Sequence, residues 1–263
     1  MNKSRRGFLK VAGLSVFALS SGIAARAAMP SAANAGVAPG GYAKGENALR
    51  AKRWAMVIDT RKFAGPEDYE PLVEACHKAH NVPRIPDAQN VKWLWLDGYE
   101  HTFPDDMNAY LDNKTRARPY PLLCNHCANP PCVRVCPTQA TYKMEDGIVA
   151  MDYHRCIGCR FCMAGCPYGA RSFNFKDPRK FLPSPAPNPD FPTRMIGVVE
   201  KCTFCAERLA AGKMPACVEA SNGRVLFGDL EDAGSSVRRA LASDFSIRRK
   251  PSLGTQPGVY YLI

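Results

Sequence analysis

Apolar positions along this chain fall in short runs, each cut within a few residues by proline, glycine or charge. Lys52 to Asp59 reads as alternating apolar and polar and predicts a β-strand. Tyr69 to His80 has the look of a helix. Val91 to Asp97 predicts a second strand, whose Trp93 and Trp95 read as core rather than as a docking surface, and Gly147 to Met151 predicts a third. Residues 177–196 carry Pro178, Pro183, Pro185, Pro187, Pro189 and Pro192, which predicts an irregular loop, either exposed for a partner or a stiff connector. With 22 Pro and 20 Gly in 263 residues, loops should be plentiful and helices short. Beyond the amino terminus no run reaches the ~18 apolar residues of a membrane span, so the mature chain is expected to be soluble or held at a membrane by a partner.

The amino terminus has its own pattern. Ser4-Arg5-Arg6-Gly7-Phe8-Leu9-Lys10 precedes a mild apolar stretch from Val11 to Ala25, then the small-x-small site Ala25-Arg26-Ala27, with Ala33-Asn34-Ala35 as a second candidate. This is the layout of a twin-arginine signal over residues 1–27, and it predicts export to the periplasm. A membrane-anchoring helix is the competing reading, but the stretch is short and rich in Gly and Ser. Lys3, Arg5, Arg6, Lys10 and Arg26 all lie in this segment, which has no acid and so supplies five of the net +11 charges. The rest of the basic balance reads as compensation for buried anionic groups, and no nucleic-acid partner is expected.

Those anionic groups follow from twelve cysteines. Cys124, Cys127, Cys132 and Cys136 precede Pro137; Cys156, Cys159, Cys162 and Cys166 precede Pro167, in the run typical of bacterial ferredoxins. In such a run three close thiolates wrap one cubane, amides of the tight loop point at its sulfurs, and the fourth thiolate starts the next helix and reaches the neighbouring cube. Cross-ligation is therefore expected: Cys124, Cys127, Cys132 and Cys166 for one [4Fe–4S] cluster, Cys156, Cys159, Cys162 and Cys136 for the next. Cys202, Cys205 and Cys217 form a third group without a near fourth member, and the lone Cys76 is the donor left to complete it. A disulfide framework is a poor reading, because small disulfide scaffolds rarely use repeated Cys-x2-Cys runs. Zinc stays open for the 202–217 group. His126 and His154 flank these cysteines and could bond cluster sulfur; a solvent-facing or backbone-capping role is the more ordinary reading. No base–nucleophile pair, phosphate-binding glycine loop or haem-attachment motif is present, so no catalytic site is expected in this chain.

Three segments carry a family resemblance: Cys124-Asn125-His126-Cys127-Ala128-Asn129-Pro130-Pro131-Cys132-Val133, Asp152-Tyr153-His154-Arg155-Cys156-Ile157-Gly158-Cys159-Arg160 and Lys201-Cys202-Thr203-Phe204-Cys205. With Arg53 to Asp59 they resemble the NrfC-, PsrB- and DmsB-like iron–sulfur subunits of the DMSO-reductase family, four-cluster proteins that accompany molybdenum reductases and NrfD-like membrane proteins. The resemblance runs to about Gly228. It implies a first four-cysteine motif after the opening strand, but here Phe63 stands at the first position and Cys76 alone remains. It also implies a last cysteine where Ser221 stands. All four ligands of one cube are absent together, and in the molybdenum-enzyme relatives that cube faces the catalytic subunit. The pattern is most like the DsrO-type exported three-cluster subunits of Dsr membrane complexes, which are linked to dissimilatory sulfite reduction. That likeness implies an NrfD-like integral membrane subunit, a periplasmic multihaem cytochrome c and other Dsr-type subunits as partners.

The expected fold is α+β, two pseudo-symmetric bacterial-ferredoxin-like units with loop insertions, one inserted in the other. After the signal comes an extended arm (28–52). A single-cluster unit is built from 53–117 and 197–228, a two-cluster unit from 118–176, then a Pro-rich loop (177–196) and a C-terminal extension (229–263). The clusters should hold this fold, so the apoprotein should be poorly folded. The expected function is a relay of single electrons through three [4Fe–4S] clusters between a quinone-interacting membrane subunit and a periplasmic cytochrome c. The alternatives are the iron–sulfur subunit of a molybdopterin reductase (nitrite, polysulfide or tetrathionate type) and a zinc-binding module.

Overall fold

A computed structural model describes residues 42–182 and 187–263; the twin-arginine segment and residues 28–41 of the arm lie outside the described residues. The first strand, β1 (Trp54–Asp59), forms where expected, but all six residues are buried rather than alternate ones. Both faces are covered: Trp54, Met56 and Ile58 enter the main core, while Ala55 and Val57 pack with Val237 and Leu262 on the other side. The predicted helix is α1 (Glu70–Ala79), opened by Pro71 in its first turn, where a missing N–H costs nothing, and it buries Leu72, Cys76 and His77. The strand predicted around Trp93 begins at Leu94: β2 (Leu94–Asp97) is followed by the short helices α2 (Tyr99–Thr102) and α3 (Asn113–Ala117), then by its antiparallel partner β3 (Tyr120–Leu123). Trp93 itself is fully buried.

The middle of the chain repeats itself. A cysteine loop leads into α4 (Pro131–Arg134), then the hairpin of β4 (Thr141–Lys143) and β5 (Val149–Met151). A second loop leads into α5 (Phe161–Ala164), then β6 (Ser172–Phe173), which pairs with β7 (Val199–Glu200) across the proline-rich segment. Three residues after the last cysteine of each motif, Gln139 and Gly169 both take left-handed backbone. The chain ends with α6 (Ala206–Ala210), α7 (Ala216–Glu219), β8 (Val225–Asp229), α8 (Ser236–Ser243, capped by the Ser235 hydroxyl), β9 (Ser246–Ile247) and β10 (Val259–Leu262).

The main sheet has the order β8-β1-β10-β9, with β1 antiparallel to β8 and parallel to β10. Residues 229–263 thus supply two of its strands and do more than extend the chain. The approach to β10 also splints the first cysteine loop: Gly258 N–H donates to Asn125 C=O at 2.7 Å, Ala128 N–H to Gln256 C=O at 2.9 Å and Asn129 N–H to Thr255 C=O at 3.0 Å. Residues 42–51 run along α6, with Leu49 N–H donating to Leu209 C=O at 2.9 Å. Among the described residues no helix is long and apolar enough to cross a membrane.

Candidate metal centres

The loops that open the three cysteine groups, Cys124 to Cys127, Cys156 to Cys159 and Cys202 to Cys205, are bent in the same way, whereas Cys159 to Cys162 runs into α5. The residue before the second cysteine is left-handed in all three, His126 (φ 41°), Gly158 (φ 70°) and Phe204 (φ 53°). That conformation curls successive amides toward one point, a concave arrangement suited to anionic sulfur. Phe204 N–H accordingly lies 3.4 Å from Cys202 Sγ. The His126 and Phe204 rings stack with centroids 3.7 Å apart and hold the first and third loops together. His126 Nδ1 accepts from Val149 N–H at 3.1 Å, so this histidine caps a backbone amide, while His154 is exposed.

The thiols group in space as they group along the chain. Cys124, Cys127, Cys132 and Cys166 line one cavity, together with Asn125 and Arg171. Burial, with Cys124 adding to it, pushes the Cys127 thiol up to about 12. Cys76 on α1 meets Cys217 on the neighbouring α7, and Cys202 and Cys205 complete a fully buried set. Burial raises all four of these thiols, Cys217 to about 11. Cys136, Cys156 and Cys162 share a smaller core, and Cys159 of that set is exposed. Burial likewise raises Cys162. At Cys136 burial is outweighed by the amides of Thr141, Ala140 and Thr138 and the Thr138 hydroxyl, which lower it. The His126–Phe204 stack joins the Cys124 and Cys202 loops, and Cys132 and Cys162 share one small core, so the cavity-lining set neighbours both of the others.

This donor set fits cubane clusters. N–H donors are already aimed at sulfur: Arg171 Nη2 lies 3.0 Å from Cys132 Sγ and Val199 N–H 3.5 Å from Cys156 Sγ. Among the described residues both polar atoms of the buried Asn125 carboxamide, which lines the cavity, have no partner, and neither has the Thr203 hydroxyl at the same position of the third loop. Thiolate-bound iron would supply one-electron chemistry here. The chain's part is to hold the thiols, exclude water and direct donors at sulfur.

The corner of Phe63 and Ser221 is packed differently. Phe63 is buried and lies flat on Tyr69, ring centroids 4.1 Å apart and planes 5° from parallel. Arg224 covers its other side at 5.5 Å and is pinned by Lys62 C=O and Asp68. The Ser221 hydroxyl donates to Val218 C=O at 2.7 Å and accepts from Val225 N–H at 3.1 Å, joining the end of α7 to β8.

Several supporting residues escape sequence reasoning. His80 bridges Cys76 C=O and Glu207, each at 2.8 Å, and with Cys205 these side chains form a group compact enough for an ion. Since both ring nitrogens already have partners, the arrangement reads as a brace between α1 and α6. Its one signal was the i, i+4 spacing from Cys76. Glu200 accepts from Trp93 Nε1 and Asn174 and pairs with Arg194 at 2.6 Å, both side chains fully buried. Arg194 also donates to the carbonyls of His80 and Asn81, which ties the end of the proline-rich segment to α1.

Comparison with known proteins agrees with this chemistry. Residues 116–180 match the 4Fe-4S dicluster domain. The chain is 40% identical, over 82% of its own length and 85% of the relative's, to the Hdr-like menaquinol oxidoreductase iron–sulfur subunit 1 of Archaeoglobus fulgidus. It is 39% identical to the iron–sulfur cluster-binding subunit of menaquinone reductase from Nitratidesulfovibrio vulgaris, covering 80% of this chain and 88% of that one. It is 34% identical to the B subunit of polysulfide reductase from Wolinella succinogenes, over 80% and 94%. Loops shaped for cubane sulfur and relatives matched over nearly their whole length agree: this protein belongs to the family of [4Fe–4S] dicluster iron–sulfur subunits that serve oxidoreductase complexes.

Proposed function

We propose that this protein is a periplasmic relay of single electrons, exported through its twin-arginine segment with three [4Fe–4S] clusters inside. Cys76, Cys202, Cys205 and Cys217 hold one cluster. Cys124, Cys127, Cys132 and Cys166 hold the middle one, and Cys136, Cys156, Cys159 and Cys162 hold the third. The observation that carries this reading is that the middle thiol set neighbours both of the others, while the corner where a fourth cluster would sit is filled by Phe63, Tyr69 and Arg224. The pairing of β1 with β8 and the packing of α1 on α7 support a single-cluster unit made of 53–117 and 197–228, with the two-cluster unit 118–176 inserted as its pseudo-symmetric counterpart.

The relay runs between a quinone-interacting, NrfD-like membrane subunit and a periplasmic multihaem cytochrome c, in a Dsr-type complex of sulfur metabolism. The relatives named for menaquinol and menaquinone support the quinone side. The likeness to the polysulfide reductase subunit keeps a second reading, the iron–sulfur subunit of a molybdopterin reductase. Iron, acid-labile sulfide and zinc analysis with EPR of the reduced protein tests the proposal. About twelve iron and three spin systems are expected; four spin systems, or zinc without sulfide, would overturn it. Co-purification with a molybdopterin subunit would decide for the second reading.

A further inference from the structure

Among the described residues four arginine or lysine side chains are almost wholly buried, Arg171, Arg194, Lys201 and Arg249, and the last donates to the Thr102 and Tyr168 carbonyls and bonds no thiol or thiol-bearing residue. Arg194 has its counter-charge in Glu200. Arg171 and Lys201 have no carboxylate partner among the described residues. Arg171 donates from Nη2 to Cys132 Sγ at 3.0 Å and to Thr141 Oγ1 at 2.7 Å, and its Nη1 lies 3.8 Å from Met151 Sδ. Cys132 and Cys162 share one small core, so Arg171 touches a thiol of the middle set where that set meets the Cys159 set. Lys201 Nζ donates to Val149 C=O and to Cys202 C=O, the latter at 2.7 Å. Its two partners set it between Cys202 of the Cys76 set and Val149, which lines the cavity of the middle set. A buried cation therefore stands where the middle set meets each of the other two.

An unpaired buried charge costs several kcal/mol, so these two positions require anions close by. The neutral oxygens and sulfurs around them do not meet that need, whereas thiolate-ligated clusters on both sides do. Resting on the cluster reading above, we propose that Arg171 and Lys201 are positioning residues for electron transfer: each is the shared counter-charge of two adjacent clusters and holds both of their potentials up together. Reduction adds one electron and no proton at each cluster, so a fixed cation facing two clusters favours the reduced form of both. Arg171 thereby links the middle and Cys159 clusters, and Lys201 links the middle and Cys76 clusters.

The experiment is a dithionite titration of the loaded full chain with redox mediators, followed by EPR, with iron and sulfide counted for every variant. R171Q should lower the potentials of the middle and Cys159 clusters and leave the Cys76 cluster in place. K201M should lower those of the middle and Cys76 clusters and leave the Cys159 cluster in place. R171K and K201R should restore most of each paired shift. The exposed Arg155, paired with Asp152 next to Cys156, is the control, and R155Q should move nothing comparably. A shift confined to one cluster, an equal shift in all three, or no shift overturns the proposal. If R171Q does not load, Thr141→Val removes one bond of Arg171 without its charge. Unchanged potentials then support the charge argument, and a paired fall overturns it. Wild-type protein lacking the iron and sulfide of three clusters sinks the cluster reading itself; a fully loaded wild type whose potentials ignore both substitutions sinks only this inference.

Discussion

The two ends of the thiol row differ in how they are built. The Cys76 set is drawn from distant parts of the chain, through a helix pair and a loop, and all four of its thiols are buried. The Cys159 set comes from two consecutive motifs; Cys136 and Cys156 are half-buried and Cys159 is exposed. Its surroundings are exposed too, with Ile157, Phe161 and Phe175 showing much of their side chains to solvent. One end is therefore part of the core and the other is a surface. Removing a ligand should unsettle the fold at the first end and mainly the cluster at the second.

The largest effect is expected at the buried end. Cys202→Ser should remove about four of about twelve iron per chain and leave α1, α6 and α7 around a set of desolvated thiols without their common partner. Melting followed by circular dichroism should show a large loss of stability. Cys159→Ser should lose a similar amount of iron with a much smaller fall in Tm. Ferricyanide or a chelator should likewise bleach the Cys159 cluster first in the wild type. If both substitutions melt the protein alike, the contrast between core and surface fails.

The next effect concerns the filled corner. Phe63→Ala removes a buried ring from its stack on Tyr69 and from beneath Arg224, and should cost about 3–5 kcal/mol by chemical denaturation, with iron content unchanged. Ser221→Cys alone should add no fourth spin system, because one thiol cannot replace a whole donor set. An unaltered stability in F63A would mean that the aromatic stack is not what occupies this corner.

How much of this was legible in the sequence depends on the range of the interaction. The cysteine loops, α1 and the first and third predicted strands are set by neighbours a few residues apart, and the chain shows them. The full burial of β1 was not legible, because Val237 and Leu262, which cover its second face, come from the far end of the chain. Nor was the parallel pairing of β1 with β10, since Val259 to Leu262 is too short and too remote to announce its partner. Arg171 and Lys201 look like any other basic residues in sequence. Only the fold shows that, among the described residues, neither has a carboxylate partner, and that Arg171 bonds the Cys132 thiol while Lys201 bonds the Cys202 carbonyl. Residues such as Asn125, whose polar atoms lack partners, were invisible for the same reason: an orphaned amide is a property of its surroundings.

The smallest effects test the two left-handed glycines of the second motif. Gly158 has φ 70° and an added Cβ would collide with the Gly197 carbonyl, which is backbone and cannot swing away. Gly169 has φ 63° and open space around it. Gly158→Ala should therefore cost about 2–3 kcal/mol, combining left-handed strain with a forced shift of the chain near Gly197. Gly169→Ala should cost about 1 kcal/mol, from strain alone. Gly158 also shapes the loop between Cys156 and Cys159, so its substitution should broaden or shift the EPR signal of that cluster while leaving the signal of the Cys76 set as it is. Denaturant melts and EPR of the two variants side by side give the comparison. Equal costs would show that backbone conformation dominates at both glycines, and that the close approach of the second loop to Gly197 carries none of its stability.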